Sequence, residues 1–463
     1  MKKRNLFIYF LGILACILIG SFLPFKNIGI IKKAPEALEN IPHTIAALQE
    51  TKIPTIPSYE ETLATMVGDK KTFIEVNFSD MKIRHWQDGI QERELPILAV
   101  GDPQEWGGTA AGLYSVLSKQ PERYSSAADV YMPWAVNFYG KYFLHGEPYY
   151  QTGEKRFADA TGGCVQSKDE DAKITYDFAT VGMPVLVIDK EKEAPVLSPQ
   201  KPFPILSSES YLVADLNSGT IFAEKNSTQQ HEIASITKLM EAIVVSEQIN
   251  LKSDILVQSF MLGEPYGAAA GLDAGKRFRV VELFYPLLTQ SSNDTAKVLS
   301  YFLGSIHTIE LMNQKTASLL MEHTTYTDAS GYDPGNISTA QDLFKLLRYI
   351  TINRSPILSI TKGSTNQVNT YGPIRFYNLE NKNLFADHPA FVGGKTGYIK
   401  TSGYTGAFIF EVPIKNQTRK VAIILLNAPH QKGPQSLYQD VVSVLSWFGT
   451  NPPNLPQQTT YTE

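Results

Sequence analysis

Cysteine is nearly absent: Cys16 and Cys164 are the only two in 463 residues, too few for a disulfide framework or a Cys-rich zinc site. Basic excess is absent too. Lys and Arg number 42 against 46 Asp and Glu, a net charge of -4, so the composition would not neutralise a phosphate backbone and nucleic acid is not an expected partner. No His-Glu-x-x-His run and no glycine-rich loop of the dinucleotide kind occurs, so no metal or cofactor is expected. Internal repeats and low-complexity tracts are missing as well. What remains is a foldable chain, 43% hydrophobic and 19% charged, with 23 Tyr and 23 Phe for large cores. That excludes disorder throughout, and the length indicates two or three folded units.

The one long apolar run is N-terminal. Lys2, Lys3 and Arg4 precede residues 6–23, interrupted only by Gly12, Gly20 and Ser21. As a helix these residues would reach about 27 Å, close to the hydrocarbon thickness of a bilayer. The cationic flank comes first, so the rest of the chain is expected outside the cytoplasm. A cleaved signal peptide is the rival reading, but its apolar stretch is usually shorter and ends at an A-x-A-like site. Ile13-Leu14-Ala15-Cys16 loosely resembles a lipoprotein box, yet more apolar residues follow Cys16. The expected organisation is a membrane anchor over 1–25 and a spacer over 26–66. A first domain follows over 67–189, a linker over 190–206, a second domain over 207–450 and a tail over 451–463.

The first domain reads as mainly β, with short apolar segments separated by turns such as Ser79-Asp80 and Asp88-Gly89. His85 alternates with Ile83 and reads as a structural strand residue. The linker is charged and proline-containing, with Pro195, Pro199, Pro202 and Pro204. In the second domain a hairpin over 211–224 turns at Asn217-Ser218-Gly219. Ile236, Leu239, Met240, Ile243 and Val244 recur at helical spacing, marking a helix that buries one face. Two further helical stretches lie in 280–303, then two strands over 404–411 and 420–426, and a helix over 434–448. Strands at both ends with helices between them indicate an antiparallel sheet covered by helices, an α/β (α+β) domain.

Three motifs stand in order in this second domain. Ser235-Ile236-Thr237-Lys238 puts a hydroxyl and an amine one helical turn apart on one face, where an unprotonated Lys can take the Ser proton. Ser291-Ser292-Asn293 and Lys395-Thr396-Gly397 follow, matching the order of S-x-x-K, S-x-N and K-T-G in one catalytic class. Over about 207–449 the chain resembles the penicillin-binding serine peptidases, and more closely the D-alanyl-D-alanine carboxypeptidases with their β-lactamase-like fold. The likeness extends to Asp328-Ala329-Ser330-Gly331-Tyr332 and Ser338-Thr339-Ala340-Gln341-Asp342. It implies that Ser235 is the acylating nucleophile, Lys238 its base, and Ser291 and Asn293 proton-relay and substrate contacts. Lys395, Thr396 and Gly397 would receive the substrate's terminal carboxylate. Burial and a nearby Lys395 are expected to lower the pKa of Lys238.

Cys164 is the sole thiol of the expected exported part. Tyr142-Phe143-Leu144-His145-Gly146 ends a β-like run, and Ala160-Thr161-Gly162-Gly163-Cys164-Val165-Gln166 follows after a polar loop. A His able to take the thiol proton yields the reactive thiolate, and glycines let backbone N–H groups approach an oxyanion. Over about 67–188 this region resembles the L,D-transpeptidase catalytic domain. The resemblance implies that Cys164 attacks a stem-peptide carbonyl with His145 as base, while Gly146 and Gly163 shape the backbone. Gly162 stands where that family usually has His, and Gln166 where it usually has Arg.

Together the resemblances imply a bacterial peptidoglycan enzyme acting on stem peptides, with β-lactams as covalent inhibitors and the membrane as partner through the N-terminal helix. A serine β-lactamase-like hydrolase and a non-catalytic wall-binding scaffold with a lapsed Cys domain are the alternatives. The expected last helix over 434–448 is followed by a short tail, so the extra C-terminal β domain that many such carboxypeptidases carry is not expected within these residues.

Overall fold

The computed structural model describes residues 53–450 except 157–160, 190–192, 197, 268, 270, 364–374 and 377–378. The expected membrane segment, most of the spacer and the tail lie outside the described residues. Among those described, no helix is long and apolar enough to cross a membrane.

The N-terminal region is sheet-rich, as its short alternating segments predict. Strands β1 (Phe73–Asn77), β2 (Lys82–Gln87), β3 (Ile90–Pro96), β4 (Gly112–Ser115) and β9 (Pro184–Ile188) form one sheet in the order β3-β2-β1-β9-β4. Strands β5 (Ser118–Ser125), β6 (Val130–Tyr139), β7 (Tyr142–His145) and β8 (Val165–Gln166) form a second, in chain order. The β7–β8 pair is parallel, with Leu144 opposite Val165 and His145 opposite Gln166. Helix α2 (Asp169–Phe178) closes the region, and its Thr175 hydroxyl meets His85 Nε2 at 3.1 Å while Phe178 stacks on that ring. His85 is thereby satisfied inside the core.

The spacer expected to reach residue 66 is folded from its end backwards. Helix α1 (Tyr59–Gly68) packs on β9, and the residues before it pair with the C-terminal region: Ile56 N donates to Gly219 O at 3.0 Å and Ile221 N to Pro54 O at 3.0 Å. The proline content misleads here because a proline carbonyl still accepts a ladder hydrogen bond. The described part of the expected linker is pinned as well, with Glu193 paired to Arg419 at 2.6 Å and Trp447 Nε1 donating to Lys201 O at 3.0 Å.

The C-terminal region is built on a five-stranded antiparallel sheet, β11-β10-β18-β17-β16, made by β10 (Ser210–Asp215), β11 (Ile221–Lys225), β16 (Phe391–Ile399), β17 (Gly403–Ile414) and β18 (Gln417–Ala428). Alternation divides its two faces. Val421, Ile423 and Leu425 of β18 pack with α9 (Gln435–Phe448), whereas Ala422, Ile424 and Leu426 face the other helices. Those are α3 (Thr237–Gln248), α4 (Val280–Leu288), α5 (Asn293–Leu303), α6 (Ser305–Ser318), α7 (Ala340–Asn353) and α8 (Ser355–Thr361). Two short pairs complete the region, β12 (His231–Glu232) with β15 (Ile337–Ser338) and β13 (Asp254–Leu256) with β14 (Arg277–Arg279).

Helix α3 departs from expectation. Periodicity predicts one buried face, yet every residue from Thr237 to Glu247 is buried. It packs against α4, α5 and α6, so even its polar positions lie inside, as expected of a helix enclosed by neighbours. The two regions also share a core: Trp106 and Ala111 belong to the large apolar cluster of the C-terminal region, and Trp106 stacks on Phe284 with ring centroids 5.0 Å apart.

Candidate active site

Ser235 lies in the 3-10 turn Ala234–Ile236 that leads into α3. The preceding Ala234 has a φ of 46°, a left-handed conformation that costs a non-glycine residue about 1–2 kcal/mol and requires surrounding support. Support comes from Gly331, whose φ is +84° and whose added Cβ would overlap the Ala234 carbonyl oxygen. Thr405 Oγ1 on β17 also donates to Ile233 O at 3.2 Å. The Ser235 turn is thus clamped from two sides.

Lys238 has no exposure to solvent. Its Nζ donates to Asn293 Oδ1 at 2.6 Å and to the Ser330 carbonyl, and lies 3.0 Å from Ser235 Oγ. A neutral amine has two N–H bonds and one lone pair. With both N–H groups taken by carbonyl oxygens, the lone pair faces the Ser235 hydroxyl. Burial first, then the Lys382 cation, pushes Lys238 down to about 8, against the pull of Glu241 and Asp328. Lys395 is likewise held well below its usual value, by burial and then by repulsion from Lys238 and Lys382. Asp328 keeps the Ser330 carbonyl in place by accepting from Ser330 Oγ and from Gly331 N at 2.9 Å.

Ser292 caps α5 through the Thr295 N–H. Ser291 before it has a φ of 59° and reaches the cleft beside Asn293, whose Nδ2 donates to Pro265 O at 2.6 Å. Across the cleft runs β16, paired among the described residues with β17 alone, so that its outer backbone groups not already bonded, as Gly394 N is to Thr361 Oγ1 and Thr396 O to Lys395, can take an extended peptide. Thr396 and Gly397 line that wall. Lys395 is buried behind it with its amine on Thr396 O at 2.8 Å. The cavity measures about 230 Å³. A larger recess of about 520 Å³ between α1 and α7 contains none of these residues.

The second expected centre is assembled differently. Cys164 is half-buried, packed on Phe143, with Sγ donating to Lys141 O at 3.8 Å. Gly163 has a φ of +113°, and its N–H donates to Thr161 Oγ1 at 3.1 Å. Burial pushes the thiol up to about 11, although the Lys141 and Arg123 cations oppose it. His145 Nδ1 donates to Gly146 O at 2.6 Å, and burial lowers the ring to about 4. The ring is therefore neutral at pH 7 with its lone pair on Nε2. Gly146 N donates to Pro133 O at 2.8 Å. Among the described residues no hydrogen bond joins the His145 ring to Cys164. The ring and thiol stand on neighbouring backbone segments without touching through one.

A family model described as D-alanyl-D-alanine carboxypeptidase matches residues 196–429, just over half of the chain. The chain belongs to this family. A second model, L,D-transpeptidase catalytic domain, matches residues 71–187, so the two stand in the order expected. The D-alanyl-D-alanine carboxypeptidase DacB2 of Mycobacterium tuberculosis is 27% identical over 256 residues, covering 54% of this chain and 86% of that protein. A D-alanyl-D-alanine endopeptidase of Haemophilus influenzae is 32% identical over 225 residues, 48% of this chain and 75% of that protein. A crystal structure of a Mycobacterium tuberculosis D-alanyl-D-alanine carboxypeptidase aligns with a TM-score of 0.47 at 25% identity, over 55% of this chain and 97% of that one.

Several groups in the carboxypeptidase region escape sequence reasoning. Lys382 lines the cavity as a cation, tied to the turn before Ser291 by its N–H on Thr289 O at 3.0 Å. Only Lys395 was expected to act on Lys238, and a lone Lys in a loop carries no signal. Tyr266 and Tyr332 flank the cavity mouth with centroids 6.3 Å apart. Glu241 lies fully buried one turn beyond Lys238, with neither carboxyl oxygen hydrogen-bonded among the described residues, and burial holds it well above the carboxylate range.

Proposed function

We propose that the chain is a peptidoglycan stem-peptide enzyme with two acylating centres. At the first, Ser235 Oγ attacks the carbonyl between the two terminal D-Ala residues while its proton passes to Lys238 Nζ. The C–N bond breaks, D-Ala leaves with a proton, and water hydrolyses the Ser235 ester. The observation that carries this reading is the buried Lys238 amine, held by Asn293 and Ser330 and 3.0 Å from Ser235 Oγ. Thr396 and Gly397 form the wall that receives the terminal carboxylate, with Lys395 buried behind it and Ser291 on the same cavity.

At the second centre Cys164 Sγ attacks the carbonyl of the third residue of a tetrapeptide stem, its proton passing to the base. The C–N bond to the terminal D-Ala breaks, D-Ala leaves with a proton, and an amine of a neighbouring stem then takes the acyl group from the thioester and frees the thiol. Neutral His145 supplies the base, and Gly146 and Gly163 give the backbone room. The match to the L,D-transpeptidase catalytic domain supports this. The cationic start and residues 6–23 support a membrane-anchored chain working outside the cytoplasm.

Full-length chain in detergent, incubated with defined penta- and tetrapeptide muropeptides and read by mass, tests both centres. Loss of one D-Ala mass from the pentapeptide, abolished by Ser235→Ala, is expected at the first. A cross-linked dimer from tetrapeptide, abolished by Cys164→Ala, is expected at the second. Release from a D-Ala-linked dimer instead would make the serine centre an endopeptidase, the activity named for the Haemophilus relative.

A further inference from the structure

The seam between the two regions holds a buried ionic cluster that the serine chemistry does not use. Glu247 at the end of α3, Lys315 of α6 and Arg354 between α7 and α8 have no exposure. Glu247 pairs with Lys315 at 3.0 Å and with Arg354 at 2.8 Å, and accepts from the Tyr349 hydroxyl. Within the C-terminal region Lys315 Nζ also donates to Tyr349 Oη at 2.9 Å and Arg354 Nη1 to Asn353 O, and three further hydrogen bonds cross into the N-terminal region. Lys315 Nζ donates to Tyr114 Oη at 3.0 Å, Arg354 Nη1 to Gly108 O at 2.8 Å, and Arg354 Nη2 to Tyr142 Oη at 2.7 Å. A buried ion cluster is weak evidence for stability, since apolar packing of similar volume often does as well. Its donors, however, point in fixed directions.

One of those directions ends at Cys164. The Tyr142 ring is fully buried and fills the space where a side chain on Gly163 would begin, so that an added Cβ would overlap ring carbons. Gly163 therefore rests on the ring, and Cys164 is the next residue. Lys141 holds the same turn from its other side: its carbonyl accepts from the thiol at 3.8 Å, and its amine donates to Ser246 O in the last turn of α3 at 3.1 Å. Both residues against which the cysteine turn rests, Lys141 and Tyr142, are thus anchored on side chains or carbonyls of the carboxypeptidase region.

We propose that Arg354 of the carboxypeptidase region is a positioning residue for Cys164, acting through the Tyr142 ring beneath Gly163. The proposal rests on the reading of Cys164 as a nucleophile. It makes the cysteine centre incomplete without the carboxypeptidase region, and it places the two nucleophiles at opposite ends of α3, with Ser235 and Ser246 about 17 Å apart along the axis.

The test uses the full-length chain carrying Tyr142→Phe, Arg354→Lys or Arg354→Met. Penicillin labelling of Ser235 reports that the body is folded. In folded variants the turn loosens, so iodoacetamide alkylation of Cys164 at pH 8 rises by about tenfold as burial of the thiol is relieved, while cross-linking of tetrapeptide stems falls by at least about tenfold in kcat. Arg354→Lys, which keeps the charge facing Glu247, falls between wild type and Arg354→Met. If Arg354→Met fails to fold, Tyr142→Phe decides, because it removes one hydroxyl and leaves the ring. Folded Tyr142→Phe and Arg354→Lys chains that alkylate at the wild-type rate overturn the proposal. A wild-type chain that never cross-links sinks the reading of Cys164 instead and leaves the alkylation comparison intact.

Discussion

Lys238 Nζ stands 3.0 Å from Ser235 Oγ with its other directions taken by Asn293 and Ser330, and this sets the pH dependence of acylation. A lysine whose pKa is lowered to about 8 by burial and by Lys382 is protonated and idle below that pH and a base above it. At pH 7 about one chain in ten holds the neutral amine. Acylation by a fluorescent penicillin should rise about tenfold per pH unit up to about 8 and then level off. Lys238→Arg cannot shed its proton and should slow labelling by a factor of about 100–10,000. A flat profile from pH 6 to 10 would show that Lys238 is not the base.

Gly331→Ala probes the clamp on the Ser235 turn. Its φ of +84° and the overlap of an added Cβ with the Ala234 carbonyl leave two remedies, moving Ala234 or moving the Asp328 loop, and each displaces a group around Lys238. Backbone strain alone costs about 1–2 kcal/mol. The expected result is a lower Tm together with a larger loss in penicillin acylation than Tm predicts. Unchanged acylation would mean that the turn holds itself.

Asp440 on α9 accepts four hydrogen bonds, from Ser207 N at 2.8 Å and Oγ at 3.1 Å and from Ser208 N at 2.8 Å and Oγ at 2.7 Å. Asp440→Ala leaves buried donors without partners, and the loss should be about 2–4 kcal/mol. Urea unfolding followed by tryptophan fluorescence measures it. Asp440 does not itself line the Ser235 cavity, although Leu437 and Tyr438 of the same helix do, so labelling of the folded variant should stay close to wild type.

Much of the carboxypeptidase region was legible in the sequence because its signals are local. Residues 421–426 form an unbroken apolar run, all of it buried, and a short run of that kind reads as a strand covered on both faces without reference to its partners. Ser235 and Lys238 fall on one face by helical spacing alone. The seam was not legible. Glu247, Lys315 and Arg354 are far apart in sequence, and nothing near any of them says that it will be enclosed. The expected one-sided α3 failed for the same reason, since its second cover comes from α4, α5 and α6. The placement of Lys382, and the separate hydrogen-bond partners of His145 and Cys164, depend on loop paths, which periodicity does not encode.

Cys164 predicts a quiet thiol in the resting chain. Burial pushes it up to about 11, so the thiolate is about one part in a thousand at pH 8. Alkylation by iodoacetamide should be slow at neutral pH and climb about tenfold per unit toward pH 11. Fast alkylation at pH 7 would show that a base already holds the proton.

The two centres share one body, which gives the last prediction. On the proposed reading, removing the terminal D-Ala of a pentapeptide stem leaves a tetrapeptide, which the cysteine centre would take as donor. A product released at Ser235 would then be formed on the molecule that consumes it, at an effective concentration above the bulk value while both remain near one wall strand. Ser235→Ala should slow cross-linking on pentapeptide-bearing sacculi and leave cross-linking of pre-trimmed tetrapeptides at the wild-type rate. Mixing Ser235→Ala with Cys164→Ala chains separates supply from proximity. If proximity matters, the mixture cross-links pentapeptide sacculi more slowly than the same amount of each active centre on one chain. Equal rates would mean that the tetrapeptide diffuses freely between molecules, and equal loss on both substrates in Ser235→Ala would mean that the serine centre supports the cysteine centre by some route other than trimming.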